Sequence, residues 1–232
     1  MFSGKVIIVT GAAGNVGAAA AGLLAARGAI VAAVDTAAAP LLAVVAALPG
    51  AGHLALDRFN LMDAAAAEAL TAHVRAAHGK IDGVLTTVGG FAMAKLADAG
   101  WEQWERMINV NVRTTWNIYR AAVPHIRANG GGALAGIGSV GGLRGGGEMA
   151  AYAAVKSAVM RLTESLADEL RGDGIRVNAV LPTTIDTPQN RAAMPGADTS
   201  RWVTPAQVAE AMLFLLSDAA SGVSGALLPV GL

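Results

Sequence analysis

The chain has 232 residues, long for one small domain and short for two, so one single-core unit is expected. Its 17 basic and 17 acidic side chains cancel, which gives no electrostatic reason to expect nucleic acid or an anionic membrane as partner. Cysteine is absent, and that excludes disulfides, thiol catalysis and cysteine-based zinc sites.

Hydrophobic residues make up 54% of the chain, yet the two most apolar stretches are interrupted. Residues 18–34 contain Arg27, and residues 37–52 contain Pro40 and Pro49. Neither offers the ~18–20 uninterrupted apolar residues of a membrane span. The opening MFSGKVIIVTG has an apolar run too short for a secretory segment. A soluble, cytoplasmic protein is expected.

In chain order, residues 5–9 (KVIIV) are apolar without alternation, the pattern of a strand buried on both faces. Residues 15–27 predict a helix stopped by Gly28. A second strand is expected over 29–34, a helix over 39–48 with Pro40 in its first turn, and a short strand over 54–56. Asp63 should cap a helix running to about His78. Residues 81–88 predict a fourth strand, and residues 101–127 one long helical region that Pro124 should kink or end. A strand over 133–137, a helix over 149–171, a strand over 175–181, a helix over 205–217 and a strand over 226–230 complete the chain.

Alternation of this kind, without repeat or linker, selects an α/β fold with a parallel sheet. An eight-stranded α/β barrel is the rival. The glycine motif after the first strand favours a Rossmann-like doubly wound sheet in a single domain, residues 1–232. Two loops interrupt the rhythm: the glycine-rich 141–147, and 181–204, which leaves the C-terminal end of a strand, where open parallel sheets bind ligands.

Gly11, Gly14 and Gly17 directly follow the first strand. Such a triplet permits a tight turn, close approach of a pyrophosphate to bare backbone, and close packing of helix on strand, with the phosphate on the free N–H groups of the helix start. Asp35 closes the second strand. A carboxylate there can accept hydrogen bonds from both adenosine ribose hydroxyls and would repel a 2′-phosphate, although it could also cap the next helix. Ala12 and Ala13 offer no basic side chain, and Arg58 is the one nearby cation. NAD(H) is therefore expected in preference to NADP(H).

Tyr152 and Lys156 lie four apart in a helical segment and so share a face. An ammonium beside a phenol favours the phenolate, which would give a general acid for a carbonyl oxygen or a base in reverse. Ser139, just past the 133–137 strand, lies on the same sheet edge and either holds a substrate oxygen or merely begins a turn. Asn111 is either a fourth site residue or an ordinary helical asparagine. The four histidines show no metal-ligand spacing, and no metal is expected.

Over essentially its full length the chain resembles the short-chain dehydrogenase/reductase family. The resemblance rests on TGAAGNVG (residues 10–17), Asp35, the step Val110-Asn111-Val112, Ser139, YAAVK (residues 152–156), RVNAVLP (residues 176–182) and the glycine-flanked ending at 225–231. It implies hydride transfer between nicotinamide and a ketone or secondary alcohol. Tyr152 would be the acid/base, Ser139 would orient the substrate oxygen, Lys156 would bind the nicotinamide ribose and lower the tyrosine pKa, and Asn111 would support a proton relay. It further implies cofactor contacts from Gly11, Gly14, Asn15, Val16, Gly17, Asp35, Asn60, Leu61, Gly89, Tyr152, Lys156, Pro182, Ile185 and Thr187, and a homotetramer or homodimer built on the two long helices.

The chain departs from the family pattern at Asn15, with glycine at 14 instead, and at Thr86-Thr87-Val88-Gly89, where Asn-Asn-Ala-Gly is usual. Asn60 replaces an aspartate, and Thr183 replaces the glycine after Pro182. A narrower similarity, over residues 181–202 and Gly89-Gly90-Phe91, is to dihydropteridine reductases. It suggests a substrate wall of Thr184, Asn190, Arg191, Met194 and Trp202 facing Phe91 and Met93. The retained Ser139 and Asn111 suit an ordinary carbonyl or alcohol substrate, with a quinonoid dihydropterin as the alternative. A dinucleotide sensor without turnover is the alternative of another class.

Overall fold

The computed structural model describes residues 1–231. The strands are β1 (Val6–Thr10), β2 (Ile30–Val34), β3 (Leu54–Leu56), β4 (Gly83–Thr86), β5 (Gly132–Ile137), β6 (Ile175–Pro182) and β7 (Leu227–Val230). They form one parallel sheet in the order β3-β2-β1-β4-β5-β6-β7. The chain winds outward from β1 to β3, then returns to place β4 on the other side of β1. The crevice between the C-terminal ends of β1 and β4 is therefore the switch point of a doubly wound sheet.

Helices α1 (Asn15–Ala26), α2 (Ala38–Ala46) and α8 (Pro205–Leu216) pack on one face of the sheet, and α3 (Ala64–His78), α5 (Thr114–Ala128) and α6 (Ala150–Glu169) on the other. The unbroken apolar run of β1 follows from this sandwich. Ile7 and Val9 enter the α1–α8 core, and Val6 and Ile8 enter the opposite one. Asp63 caps α3, its carboxylate accepting from the Ala65 N–H at 2.9 Å.

Two departures from the sequence expectation matter. The region expected as one helix is α4 (Trp101–Met107), a π-turn segment (Ile108–Arg113) and α5 in direct succession. Pro124 does not end it, because α5 continues to Ala128. Pro124 lacks the N–H that would reach the Arg120 carbonyl, and both residues are exposed. The long loop after β6 holds an unforeseen short helix, α7 (Pro188–Ala193), capped by Thr187 with Pro188 in its first turn. Among the described residues no helix is long and apolar enough to cross a membrane.

Candidate active site

The turn after β1 begins at Gly11, whose φ of 71° lies in the left-handed region. A Cβ on Gly17 would lie 2.0 Å from the Gly11 carbonyl oxygen, so only glycine lets α1 start this close to the strand. Gly14 precedes α1 in extended conformation, and no side chain caps the helix. Its first N–H groups are thus available to an anion. Val16 is buried beneath the turn, whereas Asn15 is exposed and donates to the Gln189 side chain on α7 at 3.0 Å. The departure at Thr87 has a structural answer: its hydroxyl donates to the carbonyls of Thr10 at 2.8 Å and Gly11 at 3.2 Å, holding the glycine turn from β4.

A cleft of about 310 Å³ opens at the switch point, and Gly11, Gly14, Asp35, Asn60, Leu61 and Gly89 all line it. Asp35 accepts from the Ala13 N–H and the Ala37 N–H, each at 3.0 Å, so it serves the turn and does not cap α2, whose N-cap has no side-chain bond. Asn60 accepts from the Met62 N–H at 3.1 Å, and Leu61 offers its carbonyl to buried Asn117 at 2.9 Å. Sequence reasoning missed Thr36, Phe59, Val88 and Thr114 in this slot, because no motif marks the apolar or small side chains of a pocket wall. Glycine turn, uncapped helix start, terminal carboxylate and slot together fit a dinucleotide.

The catalytic candidates come from three elements. Ser139 follows β5, and its Oγ accepts from the Gly141 N–H at 3.1 Å, starting a 3₁₀ turn (Val140–Gly142). Tyr152 and Lys156 stand on α6, with Nζ 5.9 Å from the phenol ring centroid. Lys156 is only 5% exposed and donates to the Ile137 carbonyl at 3.2 Å. Burial lowers its pKa to about 8. Burial also raises the Tyr152 pKa, and the Ser139 hydroxyl beside it pulls the other way. The net shift is upward, with desolvation the larger cause and the Ser139 hydroxyl the opposing one.

Asn111 sits in the π-turn segment, buried, and bonds back to the preceding turn as an ordinary helical asparagine can, while also reaching Gly90. Its amide nitrogen donates to the Met107 carbonyl at 3.0 Å and the Gly90 carbonyl at 3.3 Å, and its oxygen accepts from the Gly90 N–H at 3.2 Å. The hydroxyls of Thr114 and Thr115 take the carbonyls of Val110 and Asn111 at 2.8 Å each. These side chains bond back to carbonyls four residues earlier, as Thr and Asn do within helices. A Cβ on Gly89 would lie 2.9 Å from Asn111 Oδ1 and 3.2 Å from Lys156 Nζ; the bare glycine keeps open a gap flanked by both groups.

Phe91 packs edge-on against Tyr152, ring centroids 4.8 Å apart. Met93 and Met194 are exposed. The polar members of the expected wall are engaged within their own loop: Asn190 donates to the Ile185 carbonyl at 2.8 Å, Arg191 pairs with Asp186 at 2.5 and 2.8 Å, and Thr184 offers its carbonyl to Val203 at 3.0 Å. Trp202 is half-buried. Pro182 ends β6, Ile185 bridges to Val203, and the Thr187 hydroxyl accepts from the Asn190 N–H at 3.1 Å. Among the described residues no cluster of His, Asp and Glu could hold a metal ion.

Residues 11–231 match the family described as Enoyl-(Acyl carrier protein) reductase. The chain is 39% identical to cis-4-hydroxycyclohexanecarboxylate dehydrogenase of Sinomonas cyclohexanicum, over 99% of this chain and 96% of that protein. It is 33% identical to a 3-oxoacyl-[acyl-carrier-protein] reductase of Thermotoga maritima, over 97% and 95%. Among solved structures, levodione reductase superposes with a TM-score of 0.92 at 28% identity, covering 100% of this chain and 97% of that one. The 3-ketoacyl-(acyl-carrier-protein) reductase of Brucella melitensis complexed with NADH gives 0.89 at 30%, covering 98% and 97%. Sheet order, glycine turn and these full-length likenesses lead to one conclusion: the chain belongs to the short-chain dehydrogenase/reductase family, and it is an oxidoreductase of the nicotinamide-dinucleotide-dependent kind.

Proposed function

We propose that the protein is an NAD(H)-dependent carbonyl reductase or alcohol dehydrogenase acting on a small ketone or secondary alcohol, with Tyr152 as general acid and base. The observation that carries this reading is the meeting of Ser139, Tyr152, Lys156 and Asn111 at the edge of the sheet where the dinucleotide cleft opens.

When bound, the nicotinamide supplies or takes up the hydride. Ser139 holds the substrate oxygen beside the phenol, and Tyr152 delivers a proton to that oxygen in reduction or removes it in oxidation. Protonated Lys156 offsets negative charge on the phenol. The gap beside Gly89 leads from Lys156 to Asn111, a path for returning the proton. Asp35 favours NAD(H), since both carboxylate oxygens are fixed by backbone N–H groups and keep free lone pairs for ribose hydroxyls.

Trp101, Ile108 and Trp116 are exposed along the α4–α5 run, which favours a homodimer or homotetramer through these helices; a cytoplasmic location fits a user of that cofactor. The test is NADH oxidation against aryl ketones, aliphatic ketones, sugars and quinonoid dihydropterin, with Tyr152→Phe alongside. Ketone turnover lost in the variant is expected; turnover of dihydropterin alone would replace this reading with the pterin reductase.

A further inference from the structure

Phe91 is held in a way that the catalytic reading does not require. On one side of it, Asn111 grips both the N–H and the carbonyl of Gly90, at 3.2 and 3.3 Å. On the other side, Ala92 packs against the small apolar cluster of Met107, Ala151 and Val155. Two residues further, the Ala94 N–H donates to the Glu148 carbonyl at 2.8 Å. Glu148 is the one non-glycine residue with positive φ, 63°, among those described. A non-glycine residue is strained there. Its left-handed turn belongs to the backbone whose carbonyl meets Ala94.

The segment is thus anchored before, beside and after Phe91. The ring meets Tyr152 edge-on at 4.8 Å and still leaves Phe91 55% exposed. A large apolar ring fixed against a general acid, with more than half its surface uncovered, is a wall awaiting an apolar partner. The Ala94–Glu148 bond also joins this segment to the loop before α6.

We infer that Phe91 is the specificity-determining wall of the site, and that the substrate is a cyclic ketone or ring-bearing secondary alcohol whose ring lies against it, in preference to an extended acyl chain. A preformed ring covers the Phe91 face without ordering rotatable bonds, whereas a flexible chain loses that freedom on binding. The inference rests on the oxidoreductase reading given above.

The test compares kcat/KM with NADH for cyclohexanone, 2-hexanone and an acetoacetyl thioester, in the wild type, Phe91→Ala, Phe91→Leu and Phe91→Tyr. The wild type is expected to favour cyclohexanone by about two- to tenfold, the advantage of one good aromatic contact. Phe91→Ala and Phe91→Leu should bring the ratio of cyclic to acyclic activity near unity, and Phe91→Tyr should keep it. Thermal midpoints and NADH affinity report whether each variant is folded, and Phe91→Leu decides the matter should the alanine variant unfold. A wild type indifferent to ring or chain, or a ratio unchanged in the leucine variant, overturns the role of Phe91 while leaving the reaction type intact. Survival of turnover in Tyr152→Phe would instead overturn the underlying catalytic reading, a separate result.

Discussion

The Asp35 carboxylate accepts a hydrogen bond from the Ala13 N–H at 3.0 Å, joining the end of β2 to the glycine turn after β1. Its second oxygen takes the Ala37 N–H. The side chain is therefore orientated before any ribose arrives, and a bound dinucleotide meets a preformed acceptor. Asp35→Ala should lower kcat/KM for NADH by about 10- to 100-fold, the worth of hydrogen bonds to a charged group. The same change removes the repulsion of a 2′-phosphate, so activity with NADPH should rise. Parallel steady-state kinetics with the two cofactors checks this; an unchanged preference would take Asp35 off the ribose.

Tyr152 carries the clearest pH signature. Burial raises its pKa above the ordinary phenol value, so at neutral pH it holds its proton and is ready to act as an acid. Alcohol oxidation needs the phenolate, and its rate should climb with pH and level off only where the tyrosine has titrated. Carbonyl reduction should stay flat through neutrality and fall on the alkaline side. Tyr152→Phe should lower kcat by about 10²- to 10⁴-fold in both directions and leave NADH affinity, measured by fluorescence titration, nearly unchanged. A variant whose oxidation rate still rose with pH as in the wild type would assign that titration to another group.

The fold was legible because its signals are local and repeated. The run VIIVT marks a strand covered on both faces, Asp63 a helix start, and Gly28 a helix end. The glycine turn and Asp35 could be placed because their roles depend on backbone geometry at fixed points of that fold. Asn111 was legible as a site candidate but not as the clasp on Gly90, since that contact needs the chain after β4 laid beside the π-turn segment. Thr87 was visible only as a departure; its service to Thr10 and Gly11 needs β4 laid beside β1. The partners of Asn190 and Arg191 were equally hidden, since α7 folds the loop onto itself. Helix spacing foresaw the Tyr152–Lys156 neighbourhood but not the burial that raises the tyrosine pKa, because desolvation depends on everything packed around the pair.

Lys156 should leave a mark on stability. Its pKa falls from 10.5 to about 8 through burial. Below pH 8 both folded and unfolded chains carry the proton, and folding bears the full cost of burying the charge. Between about 8 and 10.5 the unfolded chain keeps a proton that the folded chain has shed, so the contribution of this group to stability rises with pH across that window. The shift corresponds to about 3 kcal/mol at most. Lys156→Met removes the charge along with the catalytic function. In urea unfolding of cofactor-free protein the variant should be the more stable at pH 7, and its advantage should shrink by pH 10. Wild-type and variant midpoints that ran parallel over this range would mean the buried ammonium titrates elsewhere.

Asn111 allows the structural and catalytic parts of one side chain to be separated. Asn111→Leu leaves the Gly90 N–H, the Gly90 carbonyl and the Met107 carbonyl without the partners they now have. Leaving buried polar groups unmet costs about 1–3 kcal/mol each, with relaxation recovering part of it, so a loss of roughly 2–4 kcal/mol is expected. Asn111→Asp can still accept from Gly90 but gives no donor to either carbonyl, and should lose less. It also places a carboxylate across the Gly89 gap from Lys156 Nζ, which favours the charged ammonium and raises the lysine pKa. The aspartate variant should therefore extend the pH range over which the phenolate is supported, moving the alkaline limb of the pH–rate profile upward, whereas the leucine variant should not. Equal stability losses in the two, with identical pH profiles, would show that Asn111 acts only as a packing residue and that the gap beside Gly89 plays no part in moving the proton.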